Sequence, residues 1–321
     1  MRVLGIDLGG TKVAGAIFTG DGALVHRRVQ ALEGRRGADV GTLIRQLLAA
    51  LVKDAGPVAA VGVCVPGISW SATGRVWAPN IPGWEEYPLH DELMSFLGTN
   101  GPGVSVDSDR ACSILGETWR GAARGSANAV FIAVGTGIGA GIMADGRVLR
   151  GANDIAGATG WMALERPFRP EFSKYGCFES QASGAGLARR ARDYLRRRGD
   201  YAGALRSCDP DALTAHDLFA AYDERDPVAT DVIHNAITCW GMAAANLVSL
   251  FNPEVVIFGG GIFGPAARFL PEIAAEARRW GQPISMGRVR FLGSALGGDA
   301  ALYGAGHLAL RTLTDTPPSL P

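Results

Sequence analysis

The feature that most constrains this chain is a supersecondary plan written twice. "RVLGIDLGGTKVAGAIFTGDGALVHRR", residues 2–28, reads as strand, glycine turn, strand, Asp-Gly turn, strand. "ANAVFIAVGTGIGAGIMADGRVLRG", residues 127–151, repeats that order. Two copies of one plan predict a duplicated two-domain protein with a cleft between the halves. Between and after the copies, strand-like and helix-like runs alternate, which fits an α/β architecture. Residues 39–56 have apolar residues at helical spacing, and 58–67 form a buried strand entering a Pro-Gly turn. A strand ending in acids covers 103–109, and a helix follows over 110–123. Helices fill most of 183–252. "PEVVIFGGGI" is a late strand with glycines at its carboxyl end, and "GGDAALYGAGHLAL" is a final helix. The expected division is a small domain of residues 1–112 plus the helix at about 298–313, a large domain of 113–297, and a disordered tail, 314–321.

The glycine turns are the first candidates for chemistry. Gly9, Gly10 and Thr11, followed by Lys12, bring backbone N–H groups where no Cβ obstructs a polyphosphate. Gly135, Thr136 and Gly137 offer the same from the second copy. Either turn alone reads as a tight hairpin; their equivalence within the repeat favours phosphate. Asp7 is placed to hold Mg²⁺, which takes one or two carboxylates plus phosphate oxygens. Gly259, Gly260 and Gly261 follow a buried strand, where an open α/β sheet binds a ligand. The Walker pattern GxxxxGK[ST] is absent.

Bulk properties narrow the function classes. Lys+Arg and Asp+Glu both number 31, so the formal net charge is +0. That balance argues against nucleic acid or an anionic membrane as a partner. A hydrophobic fraction of 47% is enough for a large core. The uncharged stretch Ile237 to Pro253 contains Asn246, Ser249 and Asn252 and reads as a buried helix, not a membrane span. Five widely spaced cysteines without a CxxC pair imply no disulfide framework. With no signal peptide before the first strand, a cytoplasmic protein is expected.

"GIDLGGTKVAGAIF", "VPGISWSATGRVWAPNIPGW", "AVGTGIGAGI", "VVIFGGGI" and "LGGDAALYGAG" occur in the order and spacing of the ROK family of sugar kinases, and this resemblance spans about residues 2–310. It implies an actin-like ATPase (ribonuclease-H-like) fold, with ATP and Mg²⁺ in the cleft and a sugar-like small molecule as acceptor. A homodimer is a further family expectation. Family repressors carry an N-terminal helix-turn-helix; here the first strand begins at residue 2, so a repressor is not expected. In "DRACSILGE", Asp109 stands at the place of the family's catalytic acid, suited to take the proton of an attacking sugar hydroxyl. Asp107, Ser108 and Asp109 also suit a helix cap. Asn80, in "PNIPGW", and Glu179, in "GCFESQASG", fall where the family contacts sugar.

The resemblance breaks at two places. The family's "GExGH" is "GATGW" here, with Ala158 for the Glu and Trp161 for the His. Trp161 then either packs on a sugar face or serves core or interface packing, and Asn153 or Asp154 could replace the lost polar contacts. The family's zinc-binding CxCGxxGC is "PEFSKYGC", retaining only Cys177. A structural zinc takes four ligands, so no zinc is expected. Three readings follow from the sequence: an ATP-dependent kinase of a hexose, aminosugar or cyclitol; a non-catalytic sugar sensor on the same fold; or a sugar kinase using polyphosphate.

Overall fold

The computed structural model describes residues 1–197 and 201–314. The expected disordered tail lies, from residue 315 on, outside the described residues. The first half contains β1 (Arg2–Leu8), β2 (Lys12–Thr19), β3 (Leu24–Ala31), α1 (Gly37–Ala55), β4 (Ala60–Val65), β5 (Ile68–Trp70), β6 (Arg75–Trp77), α2 (Leu89–Leu97) and β7 (Gly103–Ser108). The second half contains α3 (Asp109–Arg120), β8 (Ala129–Val134), β9 (Ile138–Ala144), β10 (Arg147–Val148), α4 (Phe172–Tyr175), α5 (Cys177–Ala182), α6 (Gly184–Arg197), α7 (Ala215–Asp223), α8 (Pro227–Phe251), β11 (Val255–Gly259), α9 (Leu270–Trp280), α10 (Pro283–Met286), β12 (Arg290–Gly293) and α11 (Ala300–Thr314).

The repeat is real in three dimensions. One five-stranded sheet has the order β3-β2-β1-β4-β7 and the other β10-β9-β8-β11-β12. In each, an antiparallel meander supplies three strands and two parallel strands extend the sheet. The halves differ at the third strand. β10 has only two residues, and just past it Arg150 pairs with Asp107 on β7. Reading the sequence also missed the β5–β6 hairpin, whose three-residue strands are too short to show a period.

Residue size on the first sheet explains its helices. One face of β1 and β2 carries Leu4, Ile6, Leu8, Val13 and Ile17, which pack with Leu43, Ile44, Leu47 and Leu51 of α1. The other face carries Val3, Ala14, Ala16 and Ala60 beside Leu302 and Ala309 of α11. Small residues allow α11 to approach closely: a Cβ on Gly5 would lie 2.7 Å from the Gly306 nitrogen, and one on Gly62 would lie 2.0 Å from the Ala305 oxygen.

α11 also packs against α3, backbone to backbone. A Cβ on Gly116 would sit 2.1 Å from the Ala300 oxygen, and one on Gly304 would sit 1.7 Å from the Cys112 oxygen. Glu117, fully buried, ends this pairing. Its carboxylate accepts from Ala122 N–H at 2.6 Å, Leu296 N–H at 3.2 Å and the Ser294 hydroxyl, fastening α3 to the loop before α11. The stretch read as a buried helix forms the end of α8 as far as Phe251, with Asn252 as its cap; α8 starts on Pro227 with Asp226 capping the Ala229 N–H at 2.9 Å. Among the described residues no helix is long and apolar enough to cross a membrane.

Candidate active site

The carboxyl ends of the parallel strands in both sheets supply the site residues. β1 ends beside Asp7, β7 runs into Asp109, β8 leads to Gly135, and β11 ends at Gly259. Asp7 pairs in register with Cys64, and Cys64 with Asp107. The two outer strands of these three, β1 and β7, thus deliver acids to one edge, with Cys64 of β4 between them.

The carboxyl of Asp7 is pushed up to about 6, chiefly by burial, with further repulsion from Asp109 and Asp299 and opposing help from the Cys64 thiol and Lys12. The Asp109 carboxyl is also raised by burial, against the pull of the Arg110 guanidinium and backbone N–H bonds. Its Oδ1 accepts from Arg110 N–H at 2.8 Å. Ser108 caps α3, its hydroxyl accepting from Ala111 N–H at 3.3 Å. Asp107 accepts from Ser108 N–H at 2.8 Å and from Arg150 Nε at 3.0 Å. Both neighbours therefore have structural work, and among the described residues the Asp109 side chain has no hydrogen-bond partner beyond the N–H of its own first turn.

The glycine turns are built for close approach, not for unusual backbone. Gly9 N–H donates to the Lys12 carbonyl at 2.9 Å, and Gly135 N–H to the Gly137 carbonyl at 2.9 Å. A Cβ at Gly135 or Gly261 would meet nothing within 4 Å, nor would one at Gly297 or Gly298. The backbone there faces open space, as a bound phosphate requires. Gly10, Thr11 and Thr136 are exposed, as is Lys12. Gly260 is different: its φ of 87° is a left-handed position, and a Cβ would sit 2.4 Å from the Val134 oxygen. That glycine turns the β11 end against the strand feeding the Gly135 turn.

The sugar-side candidates fall into two groups. Asn80 lies against the first glycine turn, its Cβ 3.6 Å from where a Cβ on Gly10 would be. Glu179 lies against the second turn: Oε2 accepts from Ile138 N–H at 2.7 Å, and a Cβ on Gly137 would sit 2.7 Å from that oxygen. Burial raises its carboxyl, offset by that N–H and by Arg189. Gly160 touches the same carboxylate, at 2.9 Å from a would-be Cβ, so "GATGW" and Glu179 are neighbours. Trp161 is 57% exposed, which removes the core-packing alternative. One oxygen of the Asp154 carboxylate, Oδ2, accepts from Ser71.

The zinc-like segment is held by other means. Phe172 is buried, with Phe168 edge-on to it and the Arg169 guanidinium 4.7 Å from its ring centre. Cys177 is buried, and its sulfur accepts from Leu164 N–H at 3.4 Å. One thiol among aromatic rings does not fit a tetrahedral zinc site.

Asp299 was missed from the sequence. It is an electrostatic neighbour of Asp7, and it forms a two-pronged pair with Arg27 at 2.8 and 3.1 Å. The signal was present in "LGGDAAL", an acid directly after a Gly-Gly at a helix start.

Titration of Asp7 should be visible in stability. The native state holds this proton to higher pH than the unfolded chain, whose carboxyl has its ordinary value of 3.8. The contribution is therefore present in acid and lost as pH rises through about 6. In nucleotide-free, EDTA-treated protein, Asp7→Asn is expected to gain stability over wild type from pH 4 to pH 7, by up to about 3 kcal/mol. Denaturant unfolding at each pH checks this, and a constant difference between the two proteins would refute it.

Two sheets of one topology, with acids and glycine turns at the ends of their strands, define an actin-like ATPase fold. The chain matches the ROK family over residues 3–312 and belongs to it. A glucokinase from Halalkalibacterium halodurans is 33% identical over 313 residues, spanning 95% of this chain and 94% of that one. The crystal structure of the ROK hexokinase from Thermus thermophilus superposes with a TM-score of 0.82 at 28% identity, covering 98% of this chain and 100% of that one. A ROK family glucokinase from Streptomyces griseus, solved in complex with glucose and AMPPNP, gives 0.75 at 28% identity, covering 97% and 100%.

Proposed function

We propose that this carbohydrate kinase transfers the γ-phosphoryl group of ATP, with Mg²⁺, to a hydroxyl of a hexose, aminosugar or cyclitol. The observation that carries this reading is the pair Asp7 and Asp109, electrostatic neighbours at the carboxyl ends of their strands, together with the open backbone at Gly135. Asp109 is the general base. Its raised pKa suits it to accept the hydroxyl proton as that oxygen attacks phosphorus. Bound Mg²⁺ would supply charge neutralisation at the phosphates, and Asp7, with Asp299 close by, would hold it. Gly9, Gly10, Thr11, Gly135, Thr136 and Gly137 would offer backbone N–H groups to the phosphates, Lys12 a positive charge, and Gly259–Gly261 a border for the nucleoside. Asn80 and Glu179 orient the acceptor.

The test is purified protein with ATP, Mg²⁺ and a panel of neutral hexoses, aminosugars and cyclitols, read by ADP release. Failure of the wild type on every acceptor would overturn the reading, and acceptor binding without turnover would favour a sensor. Polyphosphate in place of ATP tests the other donor. Trp161 has its own expected result. Because it is exposed, Trp161→Ala should leave the melting temperature nearly unchanged. The acceptor KM should rise about tenfold if the indole packs on the sugar. An unchanged KM would assign Trp161 to a subunit interface, as in the homodimer we also propose. The five cysteines are free thiols, consistent with a cytoplasmic setting.

A further inference from the structure

Two polar links join the first half of the chain to the loop after β10. At the tip of the β5–β6 hairpin, Ser71 donates twice to one Asp154 oxygen, from its N–H at 2.9 Å and from its hydroxyl at 3.0 Å. Four residues earlier in that loop, Arg150 donates to Asp107. Ser71 and Asp154 are 83 residues apart and belong to opposite halves of the molecule.

Asp154 sits at φ +57°, a left-handed position that glycine occupies without strain. A carboxylate there costs backbone energy that its two hydrogen bonds offset. The same hairpin is anchored to the acid-bearing strand, since Ser69 donates to the Val106 carbonyl at 3.2 Å. Its outgoing strand leads within three residues to Asn80, against the first glycine turn. The Asp154 loop runs on through Gly157, a carbonyl partner of β9, to Gly160 against Glu179. The Ser71–Asp154 link therefore ties the arm holding Asn80 to the loop holding Trp161.

We propose that Asp154 and Ser71 form a clasp between the two halves of the chain, positioning both arms of the acceptor site and holding them together while acceptor is bound. The clasp rests on the kinase reading for its effect on turnover. Neither residue touches the reacting atoms; both are positioning residues. Closing the cleft while acceptor is bound suppresses wasteful transfer to water.

The test uses Asp154→Gly, which removes the carboxylate at a position where glycine is relaxed, so folding is preserved. Ser71→Ala removes one of the two donors, and Asp154→Asn keeps an acceptor oxygen. The expected result for Asp154→Gly is an acceptor KM raised about tenfold or more, with the ATP KM near wild type. ATP hydrolysis without acceptor should rise relative to transfer. Ser71→Ala should do the same more weakly, its effect should not add to that of Asp154→Gly, and Asp154→Asn should recover part of the loss. Hydrogen exchange of residues 68–77 should quicken in Asp154→Gly. Faster exchange with wild-type acceptor KM and hydrolysis would reduce the link to a local tether and overturn the proposal. So would unchanged exchange. If the wild type phosphorylates no acceptor, the kinase reading falls, and the clasp is judged by calorimetric binding of the same acceptor panel: weaker binding in Asp154→Gly with faster exchange supports it, and unchanged binding overturns it.

Discussion

Replacing Asp109 with asparagine is expected to lower kcat by about 10²- to 10⁴-fold, the range a positioned general base contributes. The protein should stay folded. Asn can still accept the Arg110 N–H that Asp109 Oδ1 accepts at 2.8 Å, and the helix cap belongs to Ser108. Substituting an amide also removes a carboxyl whose charged form burial disfavours, so stability should hold or rise. ATP affinity should change little, because the role proposed for Asp109 is at the acceptor. Steady-state kinetics on the best acceptor, with nucleotide binding by calorimetry, separates these effects. A variant with wild-type kcat would remove Asp109 from the mechanism and move the search for a base to Glu179, the remaining acid against the second turn.

The second large effect is on stability. Gly304→Ala is expected to destabilise the fold by about 2–3 kcal/mol despite alanine's better helix propensity. The new Cβ would lie 1.7 Å from the Cys112 carbonyl oxygen, so α3 and α11 would have to separate. These helices pass from the first sheet to the acids, so activity should fall with stability. Gly135→Ala is the matched control. Its Cβ would meet nothing within 4 Å, so unfolding should be nearly unchanged while the ATP KM rises, because the methyl group would stand where phosphate approaches. Urea unfolding curves for the two variants decide the matter. Equal stabilities would show that the helix crossing relaxes at no cost.

The two glycines illustrate what could be read in advance. The sequence placed Gly135 in a tight turn between two strands because turn chemistry and strand periodicity are local. It assigned Gly304 only to a helix, because nothing within a few residues announces that Cys112 will press on it. The same division holds across the site. Asp109 was read as the candidate base from the resemblance of "DRACSILGE", a role that is still a proposal, and the structure sorted its neighbours: Ser108 caps the helix and Asp107 holds Arg150. The division into small and large domains at about residue 112 is still a proposal, although α11 lies on the first sheet as that division requires.

By itself, the sequence determined the duplicated strand plan, the helices and the glycine turns, since each is set by side-chain alternation and backbone preference over a handful of residues. The tertiary structure alone decided which acids meet. It brought Asp299 to Asp7, seated Glu179 against Gly137, exposed Trp161 and joined Ser71 to Asp154. Those contacts depend on how two sheets and the α3–α11 pair stack. Packing of that kind is a collective property of residues far apart in the chain, and no short stretch of sequence carries it.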